Sequence, residues 1–296
     1  MENVGIVGLG DMGSGFAKNL INKKFSIMGI DLNKKRMKDF IRIGGVAANS
    51  LSDLGKFSDI VFVMVMNGNQ ANEVILNKNG LIHSLKKNST IILTSTIKPL
   101  EAKKIGEVLK DTNINFIDSP VSGGFAGAQN GTLTMMAAGE KSVIEKSKSV
   151  MNAISNKIHH VGSKPGEGQT VKACLQSLIG SIFTATFEAA ALAAKAGIKG
   201  ETLLKVFSTS GAGCNVTNSA LENIIDRKFY GTGSSISTMH KDLIISLDLA
   251  ENLGVPLHTA STAMQLFHAG KTKYPDGDNW IITKVIEEII GAELHR

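Results

Sequence analysis

The glycine triplet Gly8-Leu9-Gly10-Asp11-Met12-Gly13, placed directly after Val4-Gly5-Ile6-Val7, limits what this chain can fold into more than any other feature. The apolar run before it reads as a buried strand, and residues 14–23 carry apolar side chains at helical spacing. In a strand, tight turn and helix of this kind, the first glycine permits the turn. The second lets the backbone approach a bound group, and the third lets the helix pack on the strand. The N–H groups of such a turn, at the start of a helix, favour an anion. Asp31 ends the next apolar run, 26–30, and lies 23 residues after Gly8. An acid there accepts hydrogen bonds from ribose hydroxyls, so the pattern fits a dinucleotide. Its candidate contacts are Gly8, Leu9, Gly10, Met12, Gly13 and Asp31. Asp31 repels a 2′-phosphate and the nearest arginine is Arg36, so NAD is expected, with NADP the less favoured cofactor.

Further apolar runs at 59–66, 90–93, 115–117, 133–137 and 157–161 read as strands, and helical patterns at 99–110 and 142–155 lie between some of them. This alternation predicts an α/β fold with a doubly wound, Rossmann-like, mostly parallel sheet. The pattern changes after Gly162. Residues 163–168 are turn-rich, and helical patterns follow at 169–196, 200–208, 217–226, 237–253, 257–269 and 280–288. Gly197 stands where a helix C-terminus favours glycine. Two domains are expected, a dinucleotide-binding Rossmann domain over 1–163 and an all-α domain for substrate and oligomerisation over 164–296.

Residues 173–196 are apolar enough to raise the question of a membrane span. Gln176, Glu188 and Lys195 within that stretch argue for a buried helix of a soluble helical unit. The net charge of +6 comes almost wholly from lysine, and Lys34-Lys35-Arg36-Met37-Lys38 reads as a solvated helix face. Aromatics make up only 5% of the chain and no basic stripe continues, so neither nucleic acid nor membrane is expected as a partner. A mildly basic surface suits an anionic ligand. Cys174 and Cys214 lack metal-ligand spacing and read as free core thiols of a cytoplasmic protein, no leader preceding residues 4–7. His159 and His160 are neighbours on one strand and point to opposite faces, so no metal site is expected.

Five ordered motifs carry a resemblance over nearly the whole chain. They are the opening glycine triplet; Ser95-Thr96; Asp118-Ser119-Pro120-Val121-Ser122-Gly123-Gly124 with Gly127-Ala128 and Gly131-Thr132-Leu133; Gly166-Glu167-Gly168-Gln169-Thr170-Val171-Lys172; and Lys241-Asp242. In this the chain resembles the β-hydroxyacid dehydrogenase family, which includes 3-hydroxyisobutyrate dehydrogenases, tartronate semialdehyde reductases and threonate dehydrogenases. The resemblance implies an NAD(P)-dependent oxidoreductase acting on a small hydroxy-carboxylate, with its site between the two domains and self-association into a homodimer or homotetramer. It implies that Ser122, Gly123 and Gly124 bind the substrate carboxylate, that Lys172 is the general acid/base, and that Thr96 and Lys241 contact the cofactor. The residues agree with these roles. A serine hydroxyl and unobstructed glycine N–H groups suit a carboxylate, although Gly-Gly is also good turn chemistry. Lys172 sits among Val171, Ala173, Cys174 and Leu175, where partial burial lowers an amine's pKa, although a lysine there also reads as a snorkelling interface residue.

Two departures bear on substrate. Gln176 stands where the family commonly has asparagine, and it offers the same amide poles on a longer stem. With residues 67–70 it resembles the threonate dehydrogenase branch, so a four-carbon sugar acid such as L-threonate is the expected substrate. 3-Hydroxyisobutyrate or tartronate semialdehyde is the alternative within the class, and a non-catalytic dinucleotide-binding module is the reading from another class. Residues 213–216, Gly-Cys-Asn-Val, replace an aromatic residue found in many relatives and alter the distal wall of the pocket.

Overall fold

The computed structural model describes residues 2–296, and nine strands among them form one sheet. They are β1 (Asn3–Val7), β2 (Ser26–Ile30), β3 (Val46–Ala47), β4 (Ile60–Val63), β5 (Thr90–Leu93), β6 (Asn115–Asp118), β7 (Val121–Ser122), β8 (Leu133–Ala138) and β9 (Ser155–Gly162). The order is β3-β2-β1-β4-β5-β6-β8-β7, with β9 on β8. Strands β1 to β6 pair in parallel, and β8 runs antiparallel to β6 and β7. The strand order reverses between β1 and β4, the switch point at which Rossmann folds bind ligands outside the carboxyl ends of the strands.

Helices α1 (Asp11–Asn22), α2 (Lys34–Arg42), α3 (Leu51–Phe57), α4 (Gly68–Leu76), α5 (Pro99–Leu109), α6 (Gly124–Asn130) and α7 (Lys141–Ile154) connect these strands. The sheet is buried on both faces because its strands are apolar at successive positions. Ile60 and Phe62 of β4 pack on one side with Phe16, Leu20 and Met151; Val61 and Val63 pack on the other with Leu54, Ile75 and Ile105. The apolar run 59–66 is only half strand. After Val63 the chain leaves the ladder, and the N–H of Val65 is taken by the Ser95 hydroxyl at 2.7 Å.

Strands β3 and β7 and helices α3, α4 and α6 are absent from the periodicity because each is short. Helices α3 and α4 are started by caps instead. Ser50 accepts from the N–H of Asp53, and Asn67 from that of Gln70.

The chain divides into two compact units at Lys172/Ala173. That division falls within the long helix α8 (Glu167–Lys195). The second unit continues with α9 (Gly200–Thr209), α10 (Asn215–Ile225), α11 (Ile236–Leu253), α12 (His258–Lys273) and α13 (Ile282–Ile290). Phe183 and Phe187 of α8 enter its core with Leu221, Met239, Phe267 and Trp280. Arg227 ties α13 to the end of α10 through a two-pronged pair with Glu287 at 2.7 and 2.8 Å.

Two readings of the sequence are corrected here. Helix α8 is not buried all round, since only 44% of its most apolar window is covered. One face feeds the core, and the other leaves Leu178, Ala185 and Leu192, at intervals of seven residues, exposed. The two cysteines are free but exposed rather than in the core. Cys174 falls on that outer face of α8, and Cys214 caps α10 with its sulfur 3.5 Å from the N–H of Thr217, which keeps it at the helix mouth.

Candidate active site

Strand register gathers most of the candidate residues. Ile30, Val7, Val63, Leu93 and Asp118 lie in one row across the carboxyl end of the sheet. The segments that leave this row carry Asp31, the glycine turn, Met64 to Met66, Ser95-Thr96 and Ser119 to Gly124. The first unit thus brings Gly8, Leu9, Gly10, Met12, Gly13, Asp31, Thr96, Ser122, Gly123 and Gly124 to one edge.

The glycine turn is as tight as its sequence implies. Gly8 has φ +91°, and a Cβ on it would lie 2.1 Å from the carbonyl oxygen of Met64. Its N–H donates to the Ile30 carbonyl at 2.9 Å. A Cβ on Gly13 would lie 1.9 Å from the Gly8 carbonyl oxygen, so helix α1 meets the turn backbone to backbone. Gly10 caps α1 with no side-chain acceptor on its first turn, and Met12 packs against the core below. A cleft of about 320 Å³ runs beside Leu9, Gly10, Ser14 and Arg36.

Asp31 accepts from the N–H of Leu9 and of Asn33, each at 2.7 Å. This locks the carboxylate to the turn and takes the Leu9 N–H away from any ligand. Arg36, in the first turn of α2, stands 3.6 Å from the Asp31 carboxylate and 3.6–3.7 Å from where a Cβ on Gly10 would be. The sequence placed Arg36 on a solvated helix face. Its place on the helix after Asp31 brings its guanidinium back over the turn.

Ser122 ends β7, and Gly123 and Gly124 follow with φ of +130° and +59°. Two consecutive positive φ angles favour glycine. The first turn of α6 has no side-chain cap, which leaves its N–H groups available to a carboxylate. Thr96 is half-buried, and the residues on either side of it are held by the Gln169 side chain. Gln169 donates to the Ser95 carbonyl and accepts from the Ile97 N–H, each at 3.0 Å.

Lys172 is the last residue of the first unit and is only 6% exposed. It lies three residues beyond Gln169 on α8. The start of α8 is held by Asp118, which accepts from the N–H of Gly166 at 2.9 Å and of Gln169 at 3.2 Å, and from the Gln169 side chain at 2.7 Å. Asp118 is fully buried. Desolvation pushes its pKa up from 3.8 to about 6, against the pull of the Gln169, Gly166 and Gly168 hydrogen bonds. The folded pKa lies above the unfolded one, so the folded protein keeps a proton that the unfolded chain has released. Stability therefore falls as pH rises from about 4 to about 6 and is flat beyond, a contribution of about 3 kcal/mol. In urea titrations this decline is expected in the wild type relative to Asp118→Asn, and parallel stability curves for the two proteins would refute it.

Gln176 and Lys241 belong to the second unit, where Asp242 joins them. The Gln176 amide nitrogen donates to one carboxylate oxygen at 2.6 Å, and Lys241 pairs with the other at 2.8 Å. The Gln176 carbonyl oxygen is therefore the pole it can offer to a hydroxyl. His240, beside Lys241, is turned toward His268 at 2.9 Å, and its pKa is lowered by burial and by the neighbouring Lys271 and His268. Asp118, Gln169 and Asp242 all stand inside the quoted motifs. The Lys241–Asp242 ion pair is one that adjacent charges suggest, whereas the other partners lie 48–74 residues away in sequence and could not be read from it.

Comparisons with known proteins agree with this geometry. The family described as the NAD binding domain of 6-phosphogluconate dehydrogenase matches residues 3–162. That described as NAD-binding of NADP-dependent 3-hydroxyisobutyrate dehydrogenase matches 166–286. An L-threonate dehydrogenase of Escherichia coli O6:H1 is 33% identical, over 97% of this chain and 95% of its own. A 2-(hydroxymethyl)glutarate dehydrogenase of Eubacterium barkeri is 29% identical, over 98% and 97%. The crystal structure of a 3-hydroxyisobutyrate dehydrogenase from Salmonella typhimurium, 31% identical, superposes with a TM-score of 0.88 over 96% of this chain and 100% of that one. This chain belongs to the β-hydroxyacid dehydrogenase family and is an NAD(P)-dependent hydroxyacid dehydrogenase.

Proposed function

We propose that the enzyme oxidises a four-carbon sugar acid, L-threonate, at a hydroxyl, with NAD as cofactor and Lys172 as general base. The observation that carries the proton-transfer role is a nearly buried amine on a helix whose first turn is anchored to the row of loops carrying the glycine turn and Thr96. The glycine turn, with no room for a Cβ at Gly8 or Gly13, fits the pyrophosphate of a dinucleotide. Asp31 supports NAD, since its carboxylate offers acceptors to ribose hydroxyls, while Arg36 at 3.6 Å offsets part of its repulsion of a phosphate. Bound NAD supplies a hydride acceptor. Lys172, as the neutral amine, takes the hydroxyl proton, and in the reverse direction its ammonium returns that proton to the carbonyl oxygen. Ser122 and the N–H groups at Gly123 and Gly124 hold the substrate carboxylate. Lys241, paired with Asp242, is assigned to the cofactor by the family motif in which it stands.

Gln176 supports the choice of substrate. Its nitrogen is committed to Asp242, so its oxygen accepts from a further substrate hydroxyl, which L-threonate has and 3-hydroxyisobutyrate lacks. Sites built to bond a hydroxyl discriminate strongly against analogues without one. The likeness to L-threonate dehydrogenases points the same way. The exposed stripe of Leu178, Ala185 and Leu192 supports self-association through α8 as a homodimer or homotetramer.

The test is a steady-state panel of three- and four-carbon hydroxy acids, each with NAD and with NADP. L-Threonate with NAD is expected to give the highest kcat/KM. A higher value with 3-hydroxyisobutyrate would overturn the substrate, a higher value with NADP the cofactor, and no turnover with any acid the whole reading.

A further inference from the structure

Asp118 ends β6 without exposure to solvent, and the groups around its carboxylate are N–H donors from the start of α8. It binds two backbone groups there, Gly166 and Gln169, and it also binds the Gln169 side chain. That side chain is itself fully buried. Its nitrogen donates to Asp118 and to the Ser95 carbonyl, and its oxygen accepts from the Ile97 N–H. One amide thus holds Thr96 from both flanks. Only one orientation of it satisfies all three partners. The carboxylate and the carbonyl accept, the Ile97 N–H donates, and a flipped amide would set donor against donor and acceptor against acceptor. Lys172 follows Gln169 by three residues, on the same side of the helix. Ser122 follows Asp118 by four.

We propose that Asp118 is a positioning residue: through Gln169 it fixes the Thr96 segment against the first turn of α8, and so sets where the Lys172 amine stands for proton transfer. The proposal rests on the reading of Lys172 given above. Asp118 touches neither substrate nor cofactor in this scheme. Its effect falls on the geometry of the reacting groups, to which rates are steeply sensitive.

The experiment uses the full-length enzyme and two substitutions, Asp118→Asn and Gln169→Glu, with active sites counted so that unfolded molecules do not enter kcat. An asparagine at 118 turns an N–H₂ toward a donor. Asp118→Asn is expected to lower kcat by about 10- to 100-fold, with KM for the hydroxy acid and the dissociation constant for NAD close to wild type. The primary deuterium isotope effect is expected to rise, because hydride transfer then becomes slower than product release. A glutamate at 169 sets two carboxylates together. Taken as the ratio to wild-type kcat at the same pH, which cancels the pH dependence the two proteins share, Gln169→Glu is expected to lose the same activity at alkaline pH and to recover it at acid pH, where the pair shares one proton. If Asp118→Asn does not fold, the pH dependence of Gln169→Glu decides the matter. Wild-type kcat and isotope effect per active site in the folded variants overturn the proposal. Lys172→Ala is measured alongside. If it is as active as wild type, the reading beneath falls. If it is inactive while the other two match wild type, only the role of Asp118 falls.

Discussion

Lys172→Ala is expected to lower kcat for L-threonate oxidation by about 10²–10⁴-fold, the usual contribution of a positioned acid/base group. The loss follows from chemistry rather than folding. Alanine is the best helix former, and the anchors of the first turn of α8, Asp118 and Gln169, stay in place. Truncating a side chain that is 6% exposed leaves a small space beside an otherwise intact helix. NAD binding, measured by titration calorimetry, is expected to stay close to wild type, since the contacts proposed for its pyrophosphate and ribose lie on the glycine turn and Asp31. Lys172→Arg is expected to be nearly as inactive, because a guanidinium does not give up its proton near neutral pH. A kcat for Lys172→Ala within a few-fold of wild type would remove the amine from the reaction.

Gly13→Ala is expected to have the second-largest effect, on binding and stability together. The new Cβ would stand 1.9 Å from the Gly8 carbonyl oxygen and 2.9 Å from its carbon. Gly8 has little room to yield, because its backbone lies so close to Met64 that a Cβ on it would be 2.1 Å from the Met64 carbonyl oxygen, and its N–H is bonded to the Ile30 carbonyl. Helix α1 must therefore move off the turn. Overpacking of this sort costs about 1–3 kcal/mol or more, and with both contacts to backbone the upper part of that range is expected. A displaced turn also misaligns its N–H groups with the pyrophosphate, and losing one hydrogen bond to a charged group, about 1.5–3 kcal/mol, lowers NAD affinity by about 10- to 100-fold. In stability Gly10→Ala is the contrast, since its Cβ would meet the movable Arg36 guanidinium at 3.6–3.7 Å, whereas its NAD affinity is expected to fall as well, because that glycine lets the backbone approach the bound group. Urea titration and calorimetry on both variants check this, and a Gly13→Ala protein as stable and as tightly binding as wild type would refute it.

The parts of this protein that could be read from its residues alone are those set by neighbours in sequence. A strand, a glycine turn and a helix are local, so 4–23 announces itself, as do the buried strands and the change to helices after Gly162. The motifs at Ser95, Asp118, Gly166 and Lys241 were legible as a family pattern, which named the type of chemistry and the residues proposed to carry it. Short elements such as α3 and β3 were not legible. Seven and two residues carry too little periodicity, and caps and sheet edges decide them.

What only the tertiary structure decided is which polar groups meet. Asp118 and Gln169 read as two letters of two motifs 51 residues apart, and became a network only when β5 and β6 aligned beside the start of α8. Arg36 passed for part of a solvated face until helix α2 turned it back toward Asp31. Gln176 was known as an amide, and the Asp242 carboxylate determined which of its poles is free. The apolar character of α8 and Cys174 suggested burial, but composition cannot say which face of a helix finds a partner. Hydrophobic periodicity is written along the chain, whereas hydrogen-bond partners depend on strand register and helix placement, which are settled by packing across dozens of residues.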